Sequence, residues 1–203
     1  MKRRGPLITL VLTLGALVVI LSLNDALIPN QPGAAEAPAP APAASSADAT
    51  GDDAAGAAEF PDEAVYAGKD ASGKVAVAVA IKGDRAVAYV CDGKSFESWM
   101  TGVVDGGRVT LESNRGPTID ARFNGKRVTG VAADGDVQYA FDLEKADPPA
   151  GLYREESSDT TIGWIVLPDG RQVGIKNTDG TLTPAPRLDP EADTAELVTG
   201  ATR

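Results

Sequence analysis

Between Lys74 and Lys176 apolar and polar side chains alternate in short runs broken by glycine-containing turns. That two-residue period belongs to strands, not to helices. Val137, Tyr139, Phe141 and Leu143 are the clearest case, with Gln138 and Asp142 between them. Strands are predicted at Lys74 to Ile81, Arg85 to Cys91, Arg108 to Ser113, Thr118 to Phe123, Arg127 to Ala133, Val137 to Leu143, Thr161 to Leu167 and Gln172 to Asn177. The turns between them include Lys82-Gly83-Asp84, Asp105-Gly106-Gly107, Asn124-Gly125, Asp134-Gly135 and Asp169-Gly170. Such turns suit tight hairpins, because Gly, Asn and Asp tolerate positive φ. The fold class is therefore mostly β, an antiparallel meander of about eight strands that hides its edges as a small barrel or a two-layer sandwich.

Two details of the pattern need explanation. Val75, Val77, Val79 and Ile81 form a buried face, but the opposite face, Ala76, Ala78 and Ala80, is small instead of polar. Close approach by the linker, a short helix or a partner would account for it; an alanine-rich composition is the simpler account and the one preferred from sequence. From Ser95 to Met100 a helical turn is predicted, its Phe96 and Trp99 three apart and able to plug one barrel end. The stretch from Glu144 to Thr161 reads as a long loop, followed by a strand whose Trp164 faces the core.

The N-terminal pattern is of another kind. From Gly5 to Asn24 no residue is charged, Lys2, Arg3 and Arg4 precede that run, and the next basic residue is Lys69. About twenty apolar residues span a bilayer, and basic residues ahead of a first span stay cytoplasmic. Residues 1–28 are thus read as a cytoplasmic stub and a transmembrane signal-anchor, with the helix Leu7 to Leu23 in the membrane and everything later outside the cell. A cleaved signal peptide is the competing reading; its apolar region would be shorter, and no good small-residue cleavage site follows closely. Residues 29–59 lack every large apolar side chain and alternate Ala with Pro from Ala37 to Ala43. Such a stretch cannot offset its ordering entropy, so it is read as a disordered linker. An extracytoplasmic β-domain over 60–187 and an acidic disordered tail over 188–203 complete the organisation.

Composition narrows the function. A formal net charge of −10 argues against nucleic acid as a partner. No histidine is present, which removes the commonest proton shuttle, the Ser-His-Asp arrangement and the usual zinc sites. The single cysteine, Cys91, permits no internal disulfide and sits far from the N-terminus, so it cannot carry a lipid anchor there. It ends a predicted strand in alternation with Val87 and Tyr89, as a buried inert thiol does. Ala88 to Ser95 shares part of a phosphate-binding loop pattern but has Ala where its first Gly belongs, and hairpins surround it instead of a parallel sheet. Asp134-Gly135-Asp136 lacks the further oxygen ligands of a calcium loop and reads as a turn. No catalytic, cofactor-binding or metal-ligating residue is assigned, and the chain is read as non-enzymatic.

One cluster does point to binding. Arg108, Arg115, Arg122, Lys126 and Arg127 make a basic run in an acidic protein. The turn at Asn124-Gly125 sets Arg122 and Arg127 side by side with Lys126 at the tip, a candidate site for an anionic ligand or partner. Further on, Gly151-Leu152-Tyr153-Arg154 and the segment Gly163 to Gly174 (GWIVLPDGRQVG) resemble a recurring segment of single-pass envelope proteins in high-GC Gram-positive bacteria. The resemblance implies an envelope location and carries no known activity. The expected function is a membrane-anchored binding module in the cell envelope, its partner an envelope protein or an anionic wall polymer. The alternatives are a small barrel carrying an apolar ligand and a carboxylate-based hydrolase of wall polymers.

Overall fold

The alternation from Lys74 onward does close on itself. In a computed structural model that describes residues 58–200, eight strands form a closed antiparallel meander barrel: β1 (Glu63–Lys69), β2 (Ala76–Lys82), β3 (Arg85–Cys91), β4 (Glu97–Asp105), β5 (Arg108–Glu112), β6 (Thr118–Phe123), β7 (Val128–Asp134) and β8 (Val137–Lys145). The ring is sealed where Tyr66 and Ala67 of β1 pair with Lys145 and Glu144 of β8. A five-stranded antiparallel sheet follows, built from β9 (Gly151–Glu156), β10 (Thr160–Val166), β11 (Gln172–Thr178), β12 (Thr181–Pro184) and β13 (Glu196–Leu197) in the order β12-β11-β10-β9-β13. The membrane helix expected over Leu7 to Leu23 and the linker up to residue 57 lie outside the described residues.

Six of the predicted strands belong to the barrel and two to the second sheet, so the barrel is completed by strands the alternation did not reveal. One is β1. Its Ala64 and Tyr66 point into the barrel while Val65 and Ala67 are buried on the outside, which erases the polar half of the pattern. The other is β4, where a helical turn was expected. No helix occurs among the described residues. Met100 faces the barrel interior and Trp99 the outside, and Gly102 lets β5 come close: a Cβ there would collide with the Thr110 carbonyl oxygen. Phe96 does pack against the barrel core beside Tyr139, with ring centroids 6.3 Å apart. At the opposite end, where the chain enters, Phe60 stacks on Phe123 at 4.9 Å and Tyr66 lies 5.6 Å from Phe123. Between these plugs Val77, Val79, Ile81, Met100, Leu111, Ile119 and Leu143 fill the interior. Eight strands leave a bore that side chains can fill, and here they do.

The alanine face of β2 is the outer wall on which the second sheet lies. Ala76, Ala78 and Ala80, with Val87, Tyr89 and Cys91 of β3, pack against Leu152, Ile165, Leu167, Ile175 and Val198. Small side chains there let two sheets approach, so composition alone is not the explanation. Cys91 is fully buried in this layer, and burial, the largest influence on it, pushes its thiol up to about 12. Trp164 is buried on the other face of the sheet, with Tyr153, Ile162, Val166 and Leu188.

Residues 188–200 differ from the loose tail expected of them. Gln172 exchanges two hydrogen bonds of 2.9 Å with the Leu188 backbone, and the Trp164 indole donates to the Pro186 carbonyl at 2.8 Å. β13 pairs with β9, and Val198 is inserted between sheet and barrel. The acidic residues of this strap hid two apolar anchors, Leu188 and Val198, each contributing about 1.5–3 kcal/mol by burial.

Candidate functional site

The basic hairpin forms, with its charges partly committed. Asn124 Oδ1 accepts from the amides of Lys126 (3.0 Å) and Arg127 (2.8 Å), and Gly125 takes a φ of 92° to close the turn between β6 and β7. Alternation puts Arg122 and Arg127 on the outer surface, since Phe123 and Val128 fill the interior. Arg127, however, turns toward β8. Its Nε lies 2.6 Å from Asp142 Oδ1 and its Nη1 2.6 Å from Glu144 Oε1. These hydrogen bonds, that to Asp142 first, raise its pKa above the ordinary guanidinium value. Arg122 stands across from Thr129 on one side and Arg108 on the other, and Arg108 is ion-paired with Asp120. Lys126 is exposed at the tip.

A more structured arrangement lies at the seam between barrel and sheet. On the sheet face toward the barrel, Leu152, Ile165 and Ile175 are apolar, but farther along the same face of these strands stand Arg154, Thr161 and Asn177. The seam is dry at one end and polar at the other. Glu97, the first residue of β4, accepts from the Tyr89 hydroxyl at 2.8 Å and from Asn177 Nδ2 at 2.9 Å, tying barrel to sheet. Burial, with Cys91 and Glu97 nearby, holds the Tyr89 phenol far above its usual pKa, so it remains a donor. The Tyr89 and Trp99 rings, paired across β3 and β4, lie 4.3 Å apart. The Arg154 guanidinium carbon is 4.9 Å from the centroid of the Trp99 ring, a cation–π contact. Gly163, beside Arg154 in register, is required by this stack: a Cβ would come within 2.7 Å of Tyr89 and 2.8 Å of Trp99.

The stack forms one wall of a cleft of about 400 Å³, lined also by Glu97, Asn114, Arg115 and Asp134. A smaller pocket of about 150 Å³ shares Trp99, Ser113, Asn114 and Arg154 and is lined also by Glu112. Two polar atoms in the shared wall are buried without a hydrogen-bond partner among the described residues, Trp99 Nε1 and Arg154 Nε. Both are N–H donors, so what the wall lacks is an acceptor oxygen. The other end of Arg154 is held by Glu156, 3.2 Å from Nη2. Because both Glu97 oxygens already accept hydrogen bonds, the residue acts as a fixed strut more than as a mobile acid or base.

The sequence did not join these residues into a site: Arg115 stood out only within the basic run, Trp99 only as a barrel plug, and Asp134 only in a turn. Arg154 did carry a signal: it falls two residues after Leu152, where strand alternation calls for another apolar side chain, and it is the one basic residue between Lys145 and Arg171. Glu97 and Asn177 carried none, and nothing placed Trp99 at the seam, since their meeting depends on how the sheet docks. No protein-family model, curated protein or solved structure matches the chain.

Proposed function

We propose that the chain is a membrane-anchored, extracytoplasmic binding module of the cell envelope, non-catalytic, whose ligand occupies the seam cleft. The observation that carries the reading is the pair of buried donors without acceptors beside the Trp99–Arg154 stack. Unmet buried donors cost roughly 1–3 kcal/mol each, and a ligand oxygen that meets them recovers that cost on binding. The fitting ligand is oxygen-rich and carries a carboxylate or similar acceptor. Placement in the envelope rests on the charge asymmetry around Gly5 to Asn24 and on the resemblance of the Gly163 to Gly174 segment.

The apolar-carrier alternative is disfavoured by an interior filled with its own side chains. The hydrolase alternative draws on Glu97 and Asp134 sharing one cleft, but the fixed hydrogen bonding of Glu97 suits it poorly. The test uses the full chain in detergent with soluble fragments of digested cell wall as the probe. Saturable binding should weaken at least tenfold in Arg154→Gln and in Trp99→Phe, which keeps an aromatic ring but removes the indole donor. Equal binding by both variants rules out the cleft as the site, and release of reducing sugar ends loses the argument to the hydrolase.

A further inference from the structure

We propose that the chain has a second binding site, for a phosphate-bearing small molecule, in the cleft beside the β10–β11 turn. The cleft holds about 570 Å³, and three separate segments bring a cation to it: Lys69 at the end of β1, Arg171 in the turn and Arg187 in the C-terminal strap. Trp164 and Gln172 contribute to its walls. Its one carboxylate, Asp169, is already engaged. Arg171 approaches it with Nε 2.7 Å from Oδ2, and the Arg171 amide donates to Oδ1 at 3.0 Å. Neither Lys69 nor Arg187 forms an ion pair with a carboxylate among the described residues.

Three cations and one carboxylate leave this lining two positive charges in excess, in a chain whose net charge is −10. Some other surface cations are compensated, as Arg127 is by Asp142 and Glu144, whereas here two of the three cations of a single cleft are left without a carboxylate partner among the described residues. An excess of two matches a phosphate monoester, which carries about −1.5 to −2 at neutral pH, better than a single carboxylate. Guanidinium groups hold phosphate oxygens through directed, charge-assisted hydrogen bonds, and Lys69 adds a point charge. This assignment is independent of the seam cleft, with which the site shares no residue.

The chain has two tryptophans, one in each cleft, so each site has its own fluorophore. In the full chain carrying Trp99→Phe, in detergent, Trp164 is the sole reporter; its indole is hydrogen-bonded to Pro186, next to Arg187. Titration with glycerol phosphate and with inorganic phosphate should change its emission saturably, with sodium chloride at matched ionic strength giving no such change. Lys69→Gln with Arg187→Gln should raise the apparent Kd at least tenfold while leaving the melting temperature nearly unchanged. A response that does not saturate, that chloride reproduces, or that survives in the double variant overturns the proposal. A response abolished by Arg154→Gln and untouched by the double variant also overturns it, and assigns the anion to the seam cleft.

Discussion

The barrel and the second sheet are both antiparallel, and apart from β13 their strands follow one another through hairpins, yet they obtain their cores by different means. The barrel is self-sufficient: its strands turn one face inward, and closure supplies the other side of the core. The sheet has nothing of its own to fold against. One of its faces is buried by the barrel wall and the other by the strap that carries Leu188. Residues of β2 and β3 are consequently buried on both faces, whereas β5 alternates between exposed and buried positions. Dependence runs one way, from sheet to barrel, and the polar seam where the two meet opens into the cleft of about 400 Å³.

Two glycines break the comparison most sharply. Gly102→Val drives a side chain into the Thr110 carbonyl inside the barrel ladder, and should abolish the cooperative transition altogether. Gly163→Val instead strikes the Tyr89 and Trp99 rings, so it should lift the sheet from a barrel that persists. Reaction of Cys91 with a thiol reagent reports the difference, because that thiol is buried under the sheet. Retained strand circular dichroism with a reactive Cys91 is the outcome required of Gly163→Val; complete loss of structure would show that the barrel is not independent.

A chain ended at Arg187 removes both strap anchors and should lose roughly 3–6 kcal/mol by burial bookkeeping, with Cys91 again becoming reactive. An unchanged denaturation midpoint would mean that the strap adds nothing to the sheet.

The smallest effect concerns acid and belongs to the barrel alone. Asp70 is buried at the turn between β1 and β2. Burial pushes its carboxyl up, but the hydroxyl of Ser72 and the amides of Val75 (2.8 Å) and Ser72 (2.9 Å) outweigh that and hold it below the ordinary 3.8. A depressed folded value means that the stabilisation is complete above 3.8 and is lost as pH falls through the lowered value. Asp70→Asn should therefore be less stable than the parent at pH ~6, with the gap narrowing toward pH ~2. Urea midpoints across that range check it, and a constant gap would contradict the assignment.

What could be read in the sequence follows the same division. β5, β6 and β8 face water on one side, and their alternation marked them. Asp169-Gly170 marked the β10–β11 hairpin even though both faces of β10 are buried. β1 and β9 escaped because apolar side chains occupy both faces in Ala64 to Ala67 and Leu152 to Tyr153, and the three-residue spacing of Phe96 and Trp99 made the start of β4 resemble a helical turn. The candidate site was less legible than the fold. Arg122, Lys126 and Arg127 are neighbours in sequence and easily noticed, while Lys69, Arg171 and Arg187 gather only after the sheet and strap have docked. Local charge runs advertise themselves; charges assembled by tertiary contact do not.

The contiguity of the eight barrel strands also sets an order of assembly. A chain emerging N-terminus first presents all of β1 to β8 before any of β10 has appeared, so the ring can close while its alanine wall is still bare. Val65, Ala67, Ala78, Val87 and Tyr89 then form a temporary sticky stripe. That stripe is covered only when Ile165 and Ile175 arrive, and locked only when Val198, almost the last described residue, slides beneath β9. The interval between ring closure and that final insertion is the period in which a newly made copy is most exposed to association with its neighbours.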